Sequence, residues 1–434
     1  MAVNVETLGA LERRLSMSVP AEEVERQVDE RLKKLARNVK LPGFRPGKVP
    51  MKIVVQQYGP QVRYEVMSES VQKAFSDAVK QANLKVAGNP KIEPREGSDQ
   101  SAIAFSATFE VYPEFKIGPI AEKTIERPLA EVGDAEVEKT IEILRKQRTT
   151  FPAVGRPAQD GDRLVVDFEG RIGGEAFQGG AAKAFAFALG EGRMLPEFEK
   201  AARGMTAGAS TQFDLTFPAD YHGKDVAGKT ATFSLTLTEV GEPKLPPLDA
   251  EFAKALGVAD GDLARMREEV KANVEREAKK RVEARLKNQA MQTLLDTTPL
   301  ELPKSLVEME TQALVQRASE DLKARGMKME NLPIDPQAFE ANAKRRVALG
   351  LIIGELARAE GLQPKPQQVR ALIEAESHSY ENPAEVVKWF YMQPQRLSEM
   401  EGAALESNVV SWVLAKAKVV EKAIPFDELM GSTA

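Results

Sequence analysis

Residues 262–295, DLARMREEVKANVEREAKKRVEARLKNQAMQTLL, place Leu263, Met266, Val270, Val274, Ala278, Val282 and Leu286 on one narrow stripe at helical spacing, behind Asp262 as N-cap. A helix of that length spans about 50 Å. A compact domain has no use for so long an element with so thin an apolar face. Further helical patterns run over 303–325, 336–360, 366–377 and 395–421. None sustains a strict heptad, so the expectation for 244–434 is an extended all-α domain with arms, not a coiled coil.

The rest of the chain changes character twice. At 434 residues it is too long for one ordinary core. Before the Pro-rich GEPKLPPLD, nine of the eighteen Phe fall within 151–243. Strand patterns recur there at Leu164, Val166 and Phe168; Phe213, Leu215 and Phe217; and Phe233, Leu235 and Leu237. Gly-rich turns separate them, with one short helical stretch at PEFEKAARG. This predicts a compact antiparallel β domain. Residues 1–112 read as a small α+β domain: one helix carries Val24, Val28, Leu32 and Leu35, and a second follows Pro60 with Met67, Val71, Phe75 and Val79. A half-buried strand alternates Ile103, Phe105, Ala107, Phe109 and Val111. Residues 113–150 are a connector, extended at first and helical through 134–148. The fold class is thus α+β multidomain.

Much chemistry is disfavoured at once. The chain has no cysteine, which excludes disulfides, thiol catalysis and thiolate metal sites and fits a reducing cytosol. Only His222 and His378 are present, against a multi-histidine metal centre; His378 reads as a solvated helix-end residue. There is no Walker loop, GxSxG elbow or HExxH, and no cofactor is expected. The glycine pairs in RIGGEAFQGG lack phosphate-loop spacing and fit strand turns. The N-terminus shows no signal-peptide pattern. VALGLIIGELA is about half the length of a membrane span. Net charge is −5, so any basic surface must be local.

One such surface stands out. From Arg31 to Lys52 there are eight Lys/Arg and no Asp or Glu. Within this run, LPGFRPGKVP sets Phe44 between cations on a Gly/Pro loop. A charge run is commonly just a solvated face; the aromatic at the loop tip instead fits docking on a polyanion with one apolar anchor. Gly43, Phe44, Arg45, Gly47, Lys48 and Pro50 resemble the ribosome-binding signature of the trigger factor family, and domain order and size agree along the whole chain. Pro46 stands where the family often has Lys, which removes one cation. The resemblance implies docking on the large ribosomal subunit near the polypeptide exit tunnel, binding of nascent and unfolded polypeptides, a cytoplasmic location without membrane, and a homodimer off the ribosome.

The segments VVDFEG, EAFQGG, FAFALGEGRMLPEF, FPADYHG and ATFSLTL, in that order, resemble an FKBP-type prolyl isomerase. The resemblance implies a catalytic pocket of Phe168, Phe177, Phe185, Leu195, Phe198, Tyr221 and Phe233, with Met194, Gln178 and His222 at its rim. Phe187, Phe213 and Phe217 are assigned to the core instead. Two departures bear on inhibitor affinity: Gln178 where single-domain relatives carry Asp, and Phe198 where they carry Trp. In the trigger factor family the helical region cradles unfolded chains, and 113–150 packs with it, making 151–243 an insertion. Met327, Met329, Leu332 and Ile334 suit client binding at an arm tip; that they pack on their own helices stays equally open. Two rivals remain: a free prolyl isomerase with a helical dimerisation region and no ribosome contact, and a binding protein whose isomerase-like domain is inactive.

Overall fold

The computed structural model describes residues 4–42, 44, 49–95, 102–221, 223, 225–326, 334–378, 380 and 382–431. Contacts divide the chain into two units, residues 1–127 with 284–422 and residues 128–283 with 423–434.

In the first unit, Glu12–Pro20 and Ala102–Val111 pair antiparallel at the centre of a four-stranded sheet, flanked by Asn4–Thr7 and Val86–Pro94. Leu15, Val19, Ala107 and Phe109 are buried on it. The helices Ala21–Asn38 and Met51–Gln81 pack there through Val24, Val28 and Leu32, and through Val54, Val62, Val66 and Val71. The second helix does not wait for Pro60; it begins at Met51 behind Pro50 and runs through. Pro60 forfeits one backbone hydrogen bond, which the valines buried on either side of it offset.

The same unit holds the paired helices Lys304–Ala324 and Gln337–Glu360 and three shorter ones, Pro366–Ser377, Pro383–Met392 and Pro394–Lys416. The short ones meet around Val369, Ile373, Phe390 and Ala404. The helical pattern expected to 421 stops at Lys416. Lys418–Ala423 is a strand, and the Lys418 amide donates to the Lys123 carbonyl at 2.9 Å. Ala417 has already left helical geometry at ψ 164°, and Val419 and Val420 are β-branched. At the other end, the Glu110 carboxylate accepts from the Lys304 and Ser305 amides at 2.9 and 2.7 Å, capping a helix N-terminus. Burial pushes the Glu110 pKa up, but the hydrogen bonds from Ser305 and the Lys304 amide outweigh it and hold the pKa below its usual value.

The second unit contains a four-stranded antiparallel sheet in the order Glu175–Ala188, Arg163–Ile172, Thr230–Gly241, Ser210–Thr216, with the helix Pro196–Ala202 packed on one face. Its two chain ends are stapled together: Thr150 and Lys244 exchange backbone hydrogen bonds at 3.1 and 2.8 Å. A separate small core joins Val137 and Ile141 of the helix Asp134–Gln147 to Phe252, Ala253 and Met266.

Candidate active site

The short helix Pro196–Ala202 drives Phe198 into the sheet face, where the residue is 2% exposed. Its ring lies 5.4 Å from Phe168, 5.6 Å from Phe213, 5.8 Å from Phe187 and 6.0 Å from Phe233, each at a steep edge-to-face angle. That is the arrangement aromatic quadrupoles favour. Phe233 is also buried and meets Phe177 at 6.3 Å. Its ring crosses the backbone of the neighbouring strand at Gly170, where a Cβ would stand 2.6 Å from the ring edge. Glycine is required there for close approach.

Around this buried floor, Phe168, Phe177, Met194, Leu195 and Tyr221 are half-buried and pack on the same core. Phe185 is exposed and meets Phe168 edge-on at 5.7 Å. The expected pocket residues therefore come together. Gln178 is exposed beside Phe177; His222 lies outside the described residues. Phe187 and Phe217 are core, as expected, but Phe213 is only half-buried and stacks on Phe233 at 5.9 Å, so it belongs with the nest.

Two acids escaped sequence reasoning. Glu199 is buried beside Phe198 and accepts the Gly192 amide at 3.2 Å, bracing the loop that carries Met194 and Leu195. Asp167, beside Phe168, accepts the Ala184 amide at 2.7 Å. The available signal was an acid directly flanking an aromatic of the strand or helix that builds the core, where a carboxylate drawn out of water needs a partner.

In the basic stretch, Phe44 is 38% exposed and its amide donates to the Leu41 carbonyl at 3.1 Å. Gly43, Arg45, Pro46, Gly47 and Lys48 lie outside the described residues. Arg31 is ion-paired with Glu69 and Glu65. Lys33, Lys34, Arg37, Lys40 and Lys52 are exposed and make no ion pair among the described residues. Of the arm-tip candidates, Ile334 is half-buried, while Met327, Met329 and Leu332 lie outside the described residues.

A cavity of about 610 Å³ lies elsewhere, in the first unit, lined by Met17, Val19, Ala74 and Phe105 with Glu23, Lys73, Asp77 and Arg95 also on its walls. Four charged groups in the lining keep water close. It cannot supply the dry surroundings that the aromatic nest offers. Among the described residues there is no cluster of His, Asp and Glu fit to hold a metal ion, and no helix is long and apolar enough to cross a membrane.

An aromatic nest floored by a short helix on a four-stranded antiparallel sheet defines an FKBP-type prolyl isomerase domain, and the family description "FKBP-type peptidyl-prolyl cis-trans isomerase" matches residues 155–238. Residues 1–144 match "Bacterial trigger factor protein (TF)" and residues 262–415 match its C-terminus. The trigger factor of Aromatoleum aromaticum is 53% identical over the whole of both chains. That of Nitrosospira multiformis is 54% identical over 99% of this chain and 100% of its own. That of Azoarcus sp. is 52% identical over 98% and 97%. The chain belongs to the trigger factor family. It is a ribosome-associated chaperone that binds nascent and unfolded polypeptides and carries peptidyl-prolyl cis-trans isomerase activity.

Proposed function

We propose that Phe168, Phe177, Phe185, Leu195, Phe198, Tyr221 and Phe233 form the surface on which the X–Pro bond turns, with Met194, Gln178 and His222 at its rim. The observation that carries this is the nest around Phe198: four rings within 5.4–6.0 Å of a residue 2% exposed. Amide resonance sets a barrier of about 18–20 kcal/mol to rotation. The twisted transition state has lost that resonance and is less polar than the planar amide. A dry aromatic wall favours it over the ground state without nucleophile, metal or proton transfer.

The same proposal assigns docking to Gly43, Phe44, Arg45, Gly47 and Lys48, on the large ribosomal subunit near the exit tunnel. The exposure of Phe44 and the exposed cations on the preceding helix, Lys33, Lys34 and Arg37, support this. Client contact is assigned to Met327, Met329, Leu332 and Ile334, work to the cytoplasm, and the off-ribosome form to a homodimer. The division is 1–112 for ribosome binding, 113–150 as a connector packing with the helical domain, 151–243 for isomerisation and 244–434 for client holding. The Thr150–Lys244 staple supports reading 151–243 as an insertion.

The test is turnover of a peptide with an apolar residue before Pro. Phe198→Ala is expected to cost about tenfold or more in kcat/KM, and His222→Ala much less. Near-complete loss with His222→Ala beside a mild effect of Phe198→Ala would overturn the dry-wall account.

A further inference from the structure

Between Val166 and Phe168 the facing strand Glu175–Ala188 carries one residue more than the register requires, apart from a second irregularity between Glu169 and Arg171. Val166 pairs with Phe185 and Phe168 pairs with Ala182, so two steps on one strand oppose three on the other. The excess is taken up at Ala184, whose φ of +49° is left-handed. Glycine enters that region freely and alanine rarely. Directly across, the Asp167 Oδ1 accepts the Ala184 amide at 2.7 Å. A bulge on an edge strand leaves such an amide outside the ladder, and the carboxylate supplies the missing partner.

The bulge decides what faces the site. In an unbroken register Lys183 would stand opposite Phe168, because one residue of slip exchanges the two faces of a strand. The extra residue puts Ala182 there instead. Its short side chain leaves room for Phe185 to lean on Phe168 at 5.7 Å and 86°. Phe185, at 37%, is more exposed than the other rings of the nest. The proline ring, common to every substrate, suits the buried floor; the variable residue before it meets the exposed wall.

We propose that Asp167 is a positioning residue for isomerisation: by capping the Ala184 amide it fixes the bulge that sets Phe185 against Phe168, and so selects a bulky apolar residue before proline. This rests on the assignment of Phe185 to the pocket. The experiment is steady-state kinetics of the full chain on three peptides with Ala, Leu or Phe before Pro. Asp167→Ala raises KM about tenfold for Leu–Pro and Phe–Pro and about twofold for Ala–Pro, with kcat nearly unchanged. Adding Ala184→Gly restores most of the loss, since glycine holds the bulge without a cap. Asp167→Asn, which keeps an acceptor oxygen, loses less than Asp167→Ala.

Equal losses on all three peptides, or no rescue by Ala184→Gly, would overturn the inference. Phe185→Ala separates it from the pocket assignment. If Phe185→Ala leaves the peptide preference intact, the assignment of Phe185 falls, and the inference with it. If Phe185→Ala erases the preference and Asp167→Ala does not, the inference alone falls. Should Asp167→Ala not fold, Asp167→Asn with and without Ala184→Gly reads the same rescue.

Discussion

In the isomerase body, Phe198 and Phe233 are 2% and 5% exposed, and every ring of the nest already rests on others. In the basic stretch near the N-terminus, Phe44 is 38% exposed and stacks on no ring among the described residues. Apart from Phe185, which is 37% exposed, the rings of the body are buried or half-buried against one another, as a preformed site of fixed shape would require. Phe44, at 38% exposed, still has apolar surface to bury, worth a part of the roughly 1.5–3 kcal/mol that complete burial of a phenylalanine contributes. On the proposed assignments, the same residue type would serve a pocket that stands alone and a contact completed only by its partner.

The strongest way to break this comparison is to remove the body. Because Thr150 and Lys244 are already hydrogen-bonded, deleting 151–243 leaves two adjacent ends to join. The variant is expected to lose isomerase activity entirely, yet to fold and keep suppressing aggregation of a denatured client, read by light scattering. Holding unfolded chains needs broad adaptable surface, which a pocket sized for one prolyl bond cannot offer. In the same assay Met329→Glu with Leu332→Glu weakens holding and spares isomerase turnover. A folded deletion variant without anti-aggregation activity would put client holding in the body.

Next in size is the loop. Changing Phe44, Arg45 and Lys48 together to Ala is expected to abolish co-sedimentation with ribosomes while leaving isomerase turnover unchanged. Wild-type binding should also weaken steeply as salt rises, since phosphate contacts release counterions. Undiminished co-sedimentation of the triple variant would mean that Phe44 is merely exposed, and the contrast with the body would lose its second half.

The two regions were also unequally legible. The body could be read because its alternating aromatics and five segments survive as local patterns, and the rings of that pattern do meet. What escaped depends on distant partners. No acid lies between Arg31 and Lys52, yet Arg31 is paired in space with Glu65 and Glu69 of the following helix. The strands Asn4–Thr7 and Val86–Pro94 carry Asn, Gly, Pro and charges that blunt alternation. Residues 418–421 of the strand Lys418–Ala423 read as helix until Thr124–Leu129 is there to pair with them. Asp167 and Glu199 hold backbone amides that tertiary register alone brings to them.

The smallest expected effect concerns how the body is closed at its base. Arg156 reaches Asp162 with two hydrogen bonds of 2.7 and 2.9 Å and Glu242 with a third of 3.0 Å, tying the leading segment to the end of the sheet. Asp162 is 1% exposed and also accepts the Gln159 amide at 2.9 Å. The hydrogen bonds from Arg156 lower its pKa, against an opposing push from burial. A carboxyl with a depressed folded pKa binds protons more readily when unfolded, so its contribution is present above the unfolded value, about 3.9, and is lost as pH falls through the lower folded value. The melting temperature of the body should therefore hold from pH 7 to about 5 and drop below about 4. Arg156→Ala leaves a buried carboxylate short of its main partner and is expected to destabilise the body by roughly 3 kcal/mol. Urea unfolding followed by loss of isomerase activity measures this, and the acid-dependent step should shrink in the same variant. Turnover at pH 7 should stay near wild type, because the hydrogen bonds of Arg156 go to Pro157, Asp162 and Glu242 and to no residue of the nest. An Arg156→Ala protein that unfolds like wild type, with its acid step intact, would mean that the base is held by the backbone hydrogen bonds of residues 150–154 with 240–244 and not by Arg156.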